Sequence, residues 1–252
     1  MINQNKIKLI SSLNKKKYRE QHQLFIAEGE KLVLDLINSK LNISEVFIRD
    51  NWNGNKIIPT GITTTHTTEQ YLKKISQLKT APPIIALCSM PKKNLADINF
   101  SNDLCIALDD IQDPGNLGTI IRLADWFGIK NIVCSQNTVD VYNPKVIQAT
   151  MGAIARVNIH YTDIEELLIE QQKQQVPIYG TFLDGEDIYS NKLSPSGIIV
   201  MGNEGKGISP AIEQYVDSKL LIPSFSTNLD KSESLNVSTA TAITLSEFKR
   251  RI

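Results

Sequence analysis

Residues 104–122 read LCIALDDIQDPGNLGTIIR. An apolar run over Leu104–Leu108 ends at two aspartates, a Pro-Gly turn follows, and a helical pattern begins near Asn116, a candidate helix cap. The stretch therefore predicts a buried strand, a turn and a helix. Because parallel α/β sheets bind ligands where their strands end, the polar residues of this turn are candidates for a ligand site.

Two later stretches have the same character, since each places polar or glycine residues beside an apolar run. GNEG at 202–205 follows the predicted strand 197–201, and SLNVS at 234–238 opens the last predicted helix. The glycines allow a close backbone approach to a ligand, but their spacing is neither GxGxxG nor a Walker A loop. A tight turn or a plain N-cap would explain each stretch alone. The ordered set of three predicts one site.

Arg122 follows Asn116 by six residues and has apolar neighbours on both sides. An arginine in such a setting needs a charged partner or a ligand, because burying an unpaired charge is costly. The alternative is an arginine whose head group reaches solvent or a surface ion pair.

Strand-like and helix-like patterns alternate beyond residue 102, which predicts an α/β domain whose parallel sheet is covered on both faces. The predicted strands are 104–108, 131–134, 178–183, 197–201 and 219–222. The predicted helices are 116–127, one from Asn143-Pro144, 162–175 with a capping box of Thr162 and Glu165, one from Ser209-Pro210, and 237–248.

The first ninety residues predict a smaller α/β domain. Helical spacing joins Ile7, Ile10 and Leu13, and further helices are predicted from Glu30 and over 68–79. The predicted strands are 24–27, 46–48, 56–58 and 83–87. Residues 91–102 are polar and aperiodic and are interpreted as a linker. We therefore expect a small domain at 1–95 and a larger one at 102–252.

A formal net charge of zero hides a difference between the two parts of the chain. Residues 1–100 hold 15 Lys and Arg against 8 Asp and Glu, and residues 101–252 hold 12 against 19, so the parts carry +7 and −7. This asymmetry favours contact of the basic part with a polyanion, although two ordinary solvated surfaces would also explain it. The candidates for phosphate contacts are Lys15, Lys16, Lys17 and Arg19.

Cysteine and histidine usage indicates neither a disulfide framework nor a metal site. Cys88, Cys105 and Cys134 lie in or beside apolar runs, no CxxC occurs, and the three histidines are scattered. The start of the chain lacks a secretory pattern, and no apolar run approaches the roughly 20 residues of a membrane span. The expectation is a cytoplasmic protein with reduced, buried thiols and no membrane partner.

Together, the three stretches resemble the motifs of the SpoU, or TrmH-like, family of RNA ribose 2′-O-methyltransferases, in the SPOUT superfamily. The similarity runs from about Leu104 to Lys249 and includes NPK at 143–145 and MGA at 151–153. FIAEGEK at 25–31 is similar to the start of the small RNA-binding domain of many members. The resemblance implies a C-terminal parallel-sheet domain tied in a trefoil knot, preceded by a small α/β RNA-binding domain. It also implies a homodimer through the C-terminal domain, with the helix 237–248 as the natural contact.

The resemblance further implies S-adenosylmethionine as methyl donor and RNA as substrate. Arg122 matches the family's main catalytic residue, and its polar companions match Asn116, Glu204, Ser234 and Asn236. The cofactor positions match Gly202, Ile222 and Leu235, with Thr181, Asn203 and Gly205 nearby. Methyl transfer from a sulfonium needs no metal, and an arginine with a pKa above about 12 is a poor base. We therefore expect Arg122 to orient the ribose hydroxyl and stabilise the developing alkoxide, with the proton acceptor left open.

Several alternatives stay open beside this interpretation. A nucleotide-dependent dehydrogenase should carry GxGxxG after the first strand of the sheet, and DPGNLG at 113–118 has the wrong glycine spacing. A non-catalytic RNA-binding member should have lost Arg122, Asn116 or Asn236, all of which are present. The two-domain layout favours ribosomal over transfer RNA by resemblance. The chain departs from the family at SFSTNLDKSE, residues 224–233, which is longer than the usual loop and lacks its glycine.

Overall fold

The computed structural model describes residues 3–53, 58–227 and 233–251. The chain packs as two compact units. The N-terminal unit contains the residues up to 92 together with 140–156, and the C-terminal unit contains 93–139 and the residues from 157 onward. The chain thus passes between the units three times.

Four strands form the sheet of the N-terminal unit, in the order β1-β4-β2-β3. Only the β2–β3 pair is parallel; β4 is antiparallel to both β1 and β2. Its elements are α1 (Gln4–Ser12), α2 (Lys16–His22), β1 (Leu24–Glu28), α3 (Glu30–Ile37), β2 (Ile43–Arg49), β3 (Thr64–Thr67), α4 (Glu69–Ile75) and β4 (Ile84–Ser89). The predicted triplet Ile7, Ile10 and Leu13 is buried in the core. The predicted strand at 56–58 falls mostly outside the described residues, whereas α2 and β3 are elements that the pattern did not predict.

Six parallel strands form the sheet of the C-terminal unit, in the order β10-β8-β9-β5-β6-β7. From residue 104 on, the elements are β5 (Leu104–Leu108), α5 (Pro114–Trp126), β6 (Asn131–Cys134), α6 (Pro144–Thr150), β7 (Asn158–Tyr161), α7 (Ile164–Lys173), β8 (Ile178–Asp187), β9 (Gly197–Met201), α8 (Pro210–Glu213), β10 (Ser218–Leu221) and α9 (Val237–Arg250). The predicted parallel α/β class is confirmed. Every residue of β5 and β9 is buried, as expected for central strands.

Two helix N-caps lie one and three residues from their predicted positions. Asp163, rather than Thr162, caps α7 and accepts a hydrogen bond from the Glu166 backbone at 3.2 Å. Asp113 caps α5, with Pro114 as its first residue, so Asn116 lies inside the first turn. The carboxamide of Asn116 is therefore free for other contacts.

Residues 140–156 belong to the N-terminal unit although the larger predicted domain, 102–252, contains them. Asn143 caps α6 as predicted, and Gln148 Nε2 donates to the Glu28 carbonyl at 2.7 Å. Gly152 has φ +94° and lies against Asp35, and Arg156 forms an ion pair with Asp35 at 3.0 Å. The predicted domain limits, 1–95 and 102–252, therefore differ from the compact units, in which residues 140–156 pack with the N-terminal unit. These limits remain a prediction of which parts of the chain have separate functions.

The predicted linker is partly structured. It contains a short 3-10 helix at Leu95–Asp97, and Leu95 and Ile98 pack against the core of the C-terminal unit. The three cysteines are free and buried as expected, and burial raises the pKa of each thiol above its usual range. Among the helices of the described ranges, none has the length and apolarity that a membrane crossing requires.

Candidate active site

The first two predicted stretches meet at the carboxyl ends of β5 and β9. Leu108 pairs with Met201 at the last position of both strands. The backbone N–H of Asp109 donates to the Met201 carbonyl at 2.9 Å, and the buried Asp109 carboxylate accepts from Ser209 N at 2.8 Å. The segment after β9 is thereby tied to the end of β5.

Asn203 organises the turn that follows β9. Its side-chain oxygen accepts from the backbone N–H groups of Gly205 and Lys206 at 2.9 and 3.1 Å. Its Nδ2 donates to the Asp110 carbonyl at 2.7 Å, and its backbone pairs with Gly207 in both directions at 2.9 Å. Asn203 therefore shapes the loop around the predicted cofactor residues.

Gly202 occupies a position with room for a hydrogen atom only. A Cβ at this residue would lie 2.1 Å from the Ile208 backbone nitrogen and 2.2 Å from the Gly207 carbonyl carbon. The strand end and the returning loop are thus in close backbone contact, which is what a glycine permits.

Glu204 receives hydrogen bonds from three donors of the α5 segment. Its Oε1 accepts from Asn116 Nδ2 at 3.0 Å and from Asp113 N at 3.2 Å, and its Oε2 accepts from Gln112 N at 3.4 Å. The carboxylate is therefore held in one orientation against the first turn of α5.

Asn236 extends this network to the start of α9. Its Oδ1 accepts from Ser238 N at 2.9 Å and Thr239 N at 3.4 Å, so Asn236 is the N-cap of α9. Its Nδ2 is left to donate to Asn116 Oδ1 at 2.9 Å. Because the Asn236 oxygen accepts the capping hydrogen bonds, its Nδ2 group is the donor towards Asn116. The hydrogen bonds therefore run in one direction, from Asn236 through Asn116 to Glu204. We call these three residues the amide–carboxylate network.

Arg122 is placed differently from the expectation. Its neighbours Ile120, Ile121 and Ala124 are buried, but its own side chain is exposed. It has no hydrogen-bond or ion-pair partner among the described residues. The expected apolar setting of Arg122 is wrong, because helical rotation turns this position to solvent, as the alternative had it. Six residues correspond to about 600° of rotation, so Arg122 lies about a third of a turn from Asn116.

The predicted cofactor residues follow three adjacent strands. Thr181 adjoins Met201, because Gly180 pairs with Val200, and its hydroxyl lies 3.8 Å from the Met201 sulfur. Gly202 follows β9, and half-buried Ile222 follows β10. Leu235, 48 % exposed, and the exposed Ser234 precede α9. Of the unusual loop 224–233, residues 228–232 lie outside the described residues.

The residues at this edge suit S-adenosylmethionine. They offer backbone groups and apolar side chains, which match a nucleoside, and the backbone contact at Gly202 holds the loop after β9 against the strand end. Within the described ranges, there is no group of three or more His, Cys, Asp or Glu residues that could hold a metal ion.

The predicted phosphate contacts separate into two groups. Lys15, Lys16 and Lys17 are exposed and stay candidates. Arg19 is 3 % exposed, donates to the Leu13 carbonyl at 2.7 Å and forms an ion pair with Asp140. The prediction for Arg19 is therefore wrong, because this guanidinium is used inside the N-terminal unit.

Asp109 and Asp113 were missed as contributors to the site. One ties the end of β9 to β5, and the other caps the helix that carries Asn116. The sequence contained a signal for both residues. Asp109 directly follows the apolar run of a predicted strand, and Asp113 precedes Pro-Gly, which is a typical position for a helix N-cap.

Comparison with known proteins agrees with this geometry. Residues 103–246 match the SpoU rRNA Methylase family, and residues 4–86 match the MRM3-like substrate binding domain. The chain is 30% identical over 239 residues to the 23S rRNA (guanosine(2553)-2′-O)-methyltransferase of Bacillus subtilis strain 168, covering 94% of this chain and 93% of the relative.

Several solved structures match the full length of the chain, and two of them are described here. A putative RNA methyltransferase of the TrmH family from Porphyromonas gingivalis is 36% identical, with a TM-score of 0.90 and 100% of both chains covered. An S-adenosylmethionine-bound rRNA methyltransferase from Sinorhizobium meliloti is 26% identical, with a TM-score of 0.85, covering 100% of this chain and 97% of the other.

The parallel sheet, the network at its carboxyl edge and these matches define an RNA methyltransferase that uses S-adenosylmethionine. The chain belongs to the SpoU rRNA methylase family. The resemblance inferred from the three motifs is confirmed.

Proposed function

We propose that this chain transfers the methyl group of S-adenosylmethionine to a ribose 2′-hydroxyl of ribosomal RNA. The observation that carries the proposal is the amide–carboxylate network, which joins one predicted polar residue from each of three distant stretches at the turn that follows Gly202. The named activity of the Bacillus subtilis relative supports ribosomal RNA as the substrate class.

The proposal includes four further features that follow from the family. The C-terminal domain is tied in a trefoil knot, it forms a homodimer through α9, the smaller domain at 1–95 binds RNA, and the protein acts in the cytoplasm. The exposed Lys15, Lys16 and Lys17 of the N-terminal unit support RNA binding there, because phosphate contacts by lysine supply sequence-independent affinity.

When bound, S-adenosylmethionine would supply a methyl group on its sulfonium; an O–C bond to the ribose oxygen would form as the S–C bond breaks, S-adenosylhomocysteine would leave as a neutral thioether, and the hydroxyl proton would pass to an acceptor. The chain has to position that oxygen and stabilise its developing charge. The Glu204 carboxylate accepts hydrogen bonds from three N–H groups and thereby positions the start of α5. Arg122 is exposed without a partner among the described residues, so its guanidinium is available to the RNA.

Replacing Arg122 by alanine tests the proposed function. We expect a loss of about 100-fold in methyl transfer, the scale seen when one donor to a developing oxyanion is removed. Folding should be unaffected, because the side chain is exposed. Thr119→Ala, also exposed on α5, is the matched control and should keep full activity. Arg122→Ala with near-normal transfer would refute the role.

The RNA class is tested by mapping ribose methylation in cells that lack the protein. We expect one ribosomal RNA nucleotide to lose its 2′-O-methyl group, and the wild-type gene, but not Arg122→Ala, to restore it. Loss of a transfer RNA methylation instead would select the tRNA alternative. RNA binding without any methyl loss would select the non-catalytic alternative.

Asn116→Asp tests the direction of the amide–carboxylate network. The substitution replaces the donor 3.0 Å from Glu204 by a carboxylate oxygen, so repulsion replaces a hydrogen bond. We expect methyl transfer to fall about tenfold, as for a lost hydrogen bond to a charged group at a partly exposed site. The companion variant Asn116→Asp/Glu204→Gln should recover part of the loss, since glutamine removes the repelling charge. Equal activity of Asn116→Asp and wild type would contradict the assigned direction.

A further inference from the structure

Two motifs of the sequence each end in a lysine that the catalytic site does not use. FIAEGEK at 25–31 ends at Lys31, and NPK at 143–145 ends at Lys145. Both motifs belong to the N-terminal unit, although one lies near the start of the chain and the other in its second passage through this unit. The packing of the unit therefore decides whether the two lysines can act together.

Two contacts join the segments that carry these lysines. Just before α3, the Glu28 carbonyl accepts a hydrogen bond from Gln148 Nε2 of α6 at 2.7 Å. Near the end of α3, Asp35 forms an ion pair with Arg156 at 3.0 Å, and a Cβ on Gly152 would lie only 1.8 Å from the Asp35 carboxylate oxygen. Residues 28–37 and 144–156 are therefore held side by side, and we call their contact the α3–α6 seam.

Helix geometry places both lysines on the seam. Lys31 precedes Asp35 by four residues in α3, and Lys145 precedes Gln148 by three residues in α6. Residues with these spacings are neighbours on one face of a helix, with Cβ atoms about 5–6 Å apart. Each lysine thus lies one turn from a side chain that contacts the other segment. Both are exposed, and neither ammonium has a hydrogen-bond or ion-pair partner among the described residues.

The carboxylates of β1 and α3 have partners of their own. Glu28 is buried and accepts from the Gln77 backbone N–H at 2.7 Å, and Glu30 accepts from Trp52 Nε1 at 3.1 Å. Asp35 has the ion pair described above, and α6 contains no acidic residue. None of these carboxylates pairs with either lysine, so the two ammonium groups are left to attract an anion from solution.

We propose that Lys31 and Lys145 form one phosphate-binding site for the RNA substrate on the α3–α6 seam. An RNA strand presents a row of phosphates, so two ammonium groups on one seam can bind it at two points. This inference rests on the proposed function and goes beyond it by naming residues of the RNA site. Because Lys145 belongs to the second passage, the site extends beyond the predicted RNA-binding domain at 1–95.

The salt dependence of RNA binding is the direct test, because each phosphate contact releases counterions. The probe is ribosomal RNA isolated from cells that lack the protein, titrated with the full-length chain at several KCl concentrations. We expect Lys31→Met and Lys145→Met each to weaken binding about fivefold and to reduce the slope of log K against log[salt] by about 1. The double variant should reduce the slope by about 2. Lys31→Arg and Lys145→Arg keep the charge and should keep the wild-type slope.

Lys73→Met is the matched control. Lys73 is also an exposed lysine of the N-terminal unit, but it is paired with Glu69 at 2.7 Å. Its loss changes the net charge by the same amount, and we expect wild-type RNA affinity and slope. In steady state, Lys31→Met and Lys145→Met should raise the KM for RNA and leave kcat unchanged at saturation. Their affinity for S-adenosylmethionine, measured by calorimetry, should equal that of the wild type, which a general loss of structure would not allow.

The outcomes separate this inference from the proposed function. Wild-type affinity and slope in Lys31→Met and Lys145→Met would overturn the phosphate site and leave the methyltransferase proposal intact. A reduced slope in only one of them would overturn the joint site. An equal reduction in Lys73→Met would overturn it as well, because net charge alone would then explain the effect. A wild-type protein that binds this RNA without methylating it would contradict the proposed function and leave the phosphate site standing.

Discussion

Replacing Gly202 by alanine is expected to abolish cofactor binding and to lower the free energy of unfolding by about 3 kcal/mol, the upper range for overpacking a tight site. The added Cβ would lie 2.1 Å from the Ile208 nitrogen and 2.5 Å from the Gly207 carbonyl oxygen. These are backbone atoms of the returning loop, so they cannot move aside as a flexible side chain would. Either the strand end or the loop must shift.

Gly205→Ala provides the control from the same loop. Its nearest neighbour would be the Asn203 side-chain oxygen at 3.8 Å, an ordinary contact. We expect wild-type stability for Gly205→Ala, measured by urea unfolding, so that this variant is the control for overpacking. Calorimetric titration measures the cofactor affinity of Gly202→Ala. If Gly202→Ala were as stable as Gly205→Ala and bound the cofactor with wild-type affinity, the close backbone contact at Gly202 would not be required for the fold or the site.

Arg19→Met is expected to lower the free energy of unfolding by about 3–5 kcal/mol, the usual cost of removing one partner of a buried ion pair. The side chains of Arg19 and Asp140 are 4 % and 15 % exposed, and Arg19 also donates to the Leu13 carbonyl. Without the guanidinium, the nearly buried Asp140 carboxylate loses its cationic partner and keeps the Tyr142 backbone N–H at 3.1 Å, and the Leu13 carbonyl loses the donor from Arg19.

Lys16→Met, on the same helix, is the control for this experiment. Lys16 and Glu20 are both 57 % exposed and 3.8 Å apart, so the pair is screened by solvent. Its removal should change stability by less than about 0.5 kcal/mol. Urea unfolding of the three proteins gives the comparison. Equal stability of Arg19→Met and wild type would show that the buried pair contributes nothing net.

The C-terminal sheet and much of the site were predictable because their signals are local. The run 104–122 contains its strand, its turn and most of its helix within nineteen residues, and the limits of the five predicted strands differ from the structure by four residues at most, whereas β7 (Asn158–Tyr161) was not predicted. Parallel strands bring their carboxyl ends to one edge, so Asn116 and Glu204 were expected to meet. Asn236 followed from the family motif and reached the same network.

The remaining features depend on packing between distant residues. Arg19 follows a lysine run typical of an exposed surface, and only its pairing with Asp140, 121 residues later, shows that it is buried. Nothing local in residues 140–156 indicates that they pack with the N-terminal unit. The pairing of β8 with β10 passes from Gly180 directly to Glu186, and nothing in the pattern of either strand predicts this register shift.

The second passage of the chain through the N-terminal unit constrains the order in which the protein can fold as it is made. A ribosome releases residues up to 92 long before residues 140–156, which this unit needs for its packing. Until Asp140 emerges, the Arg19 charge has no carboxylate to join it in the interior. The nascent N-terminal unit must therefore wait, incompletely packed, while roughly the first third of the methyltransferase domain is translated.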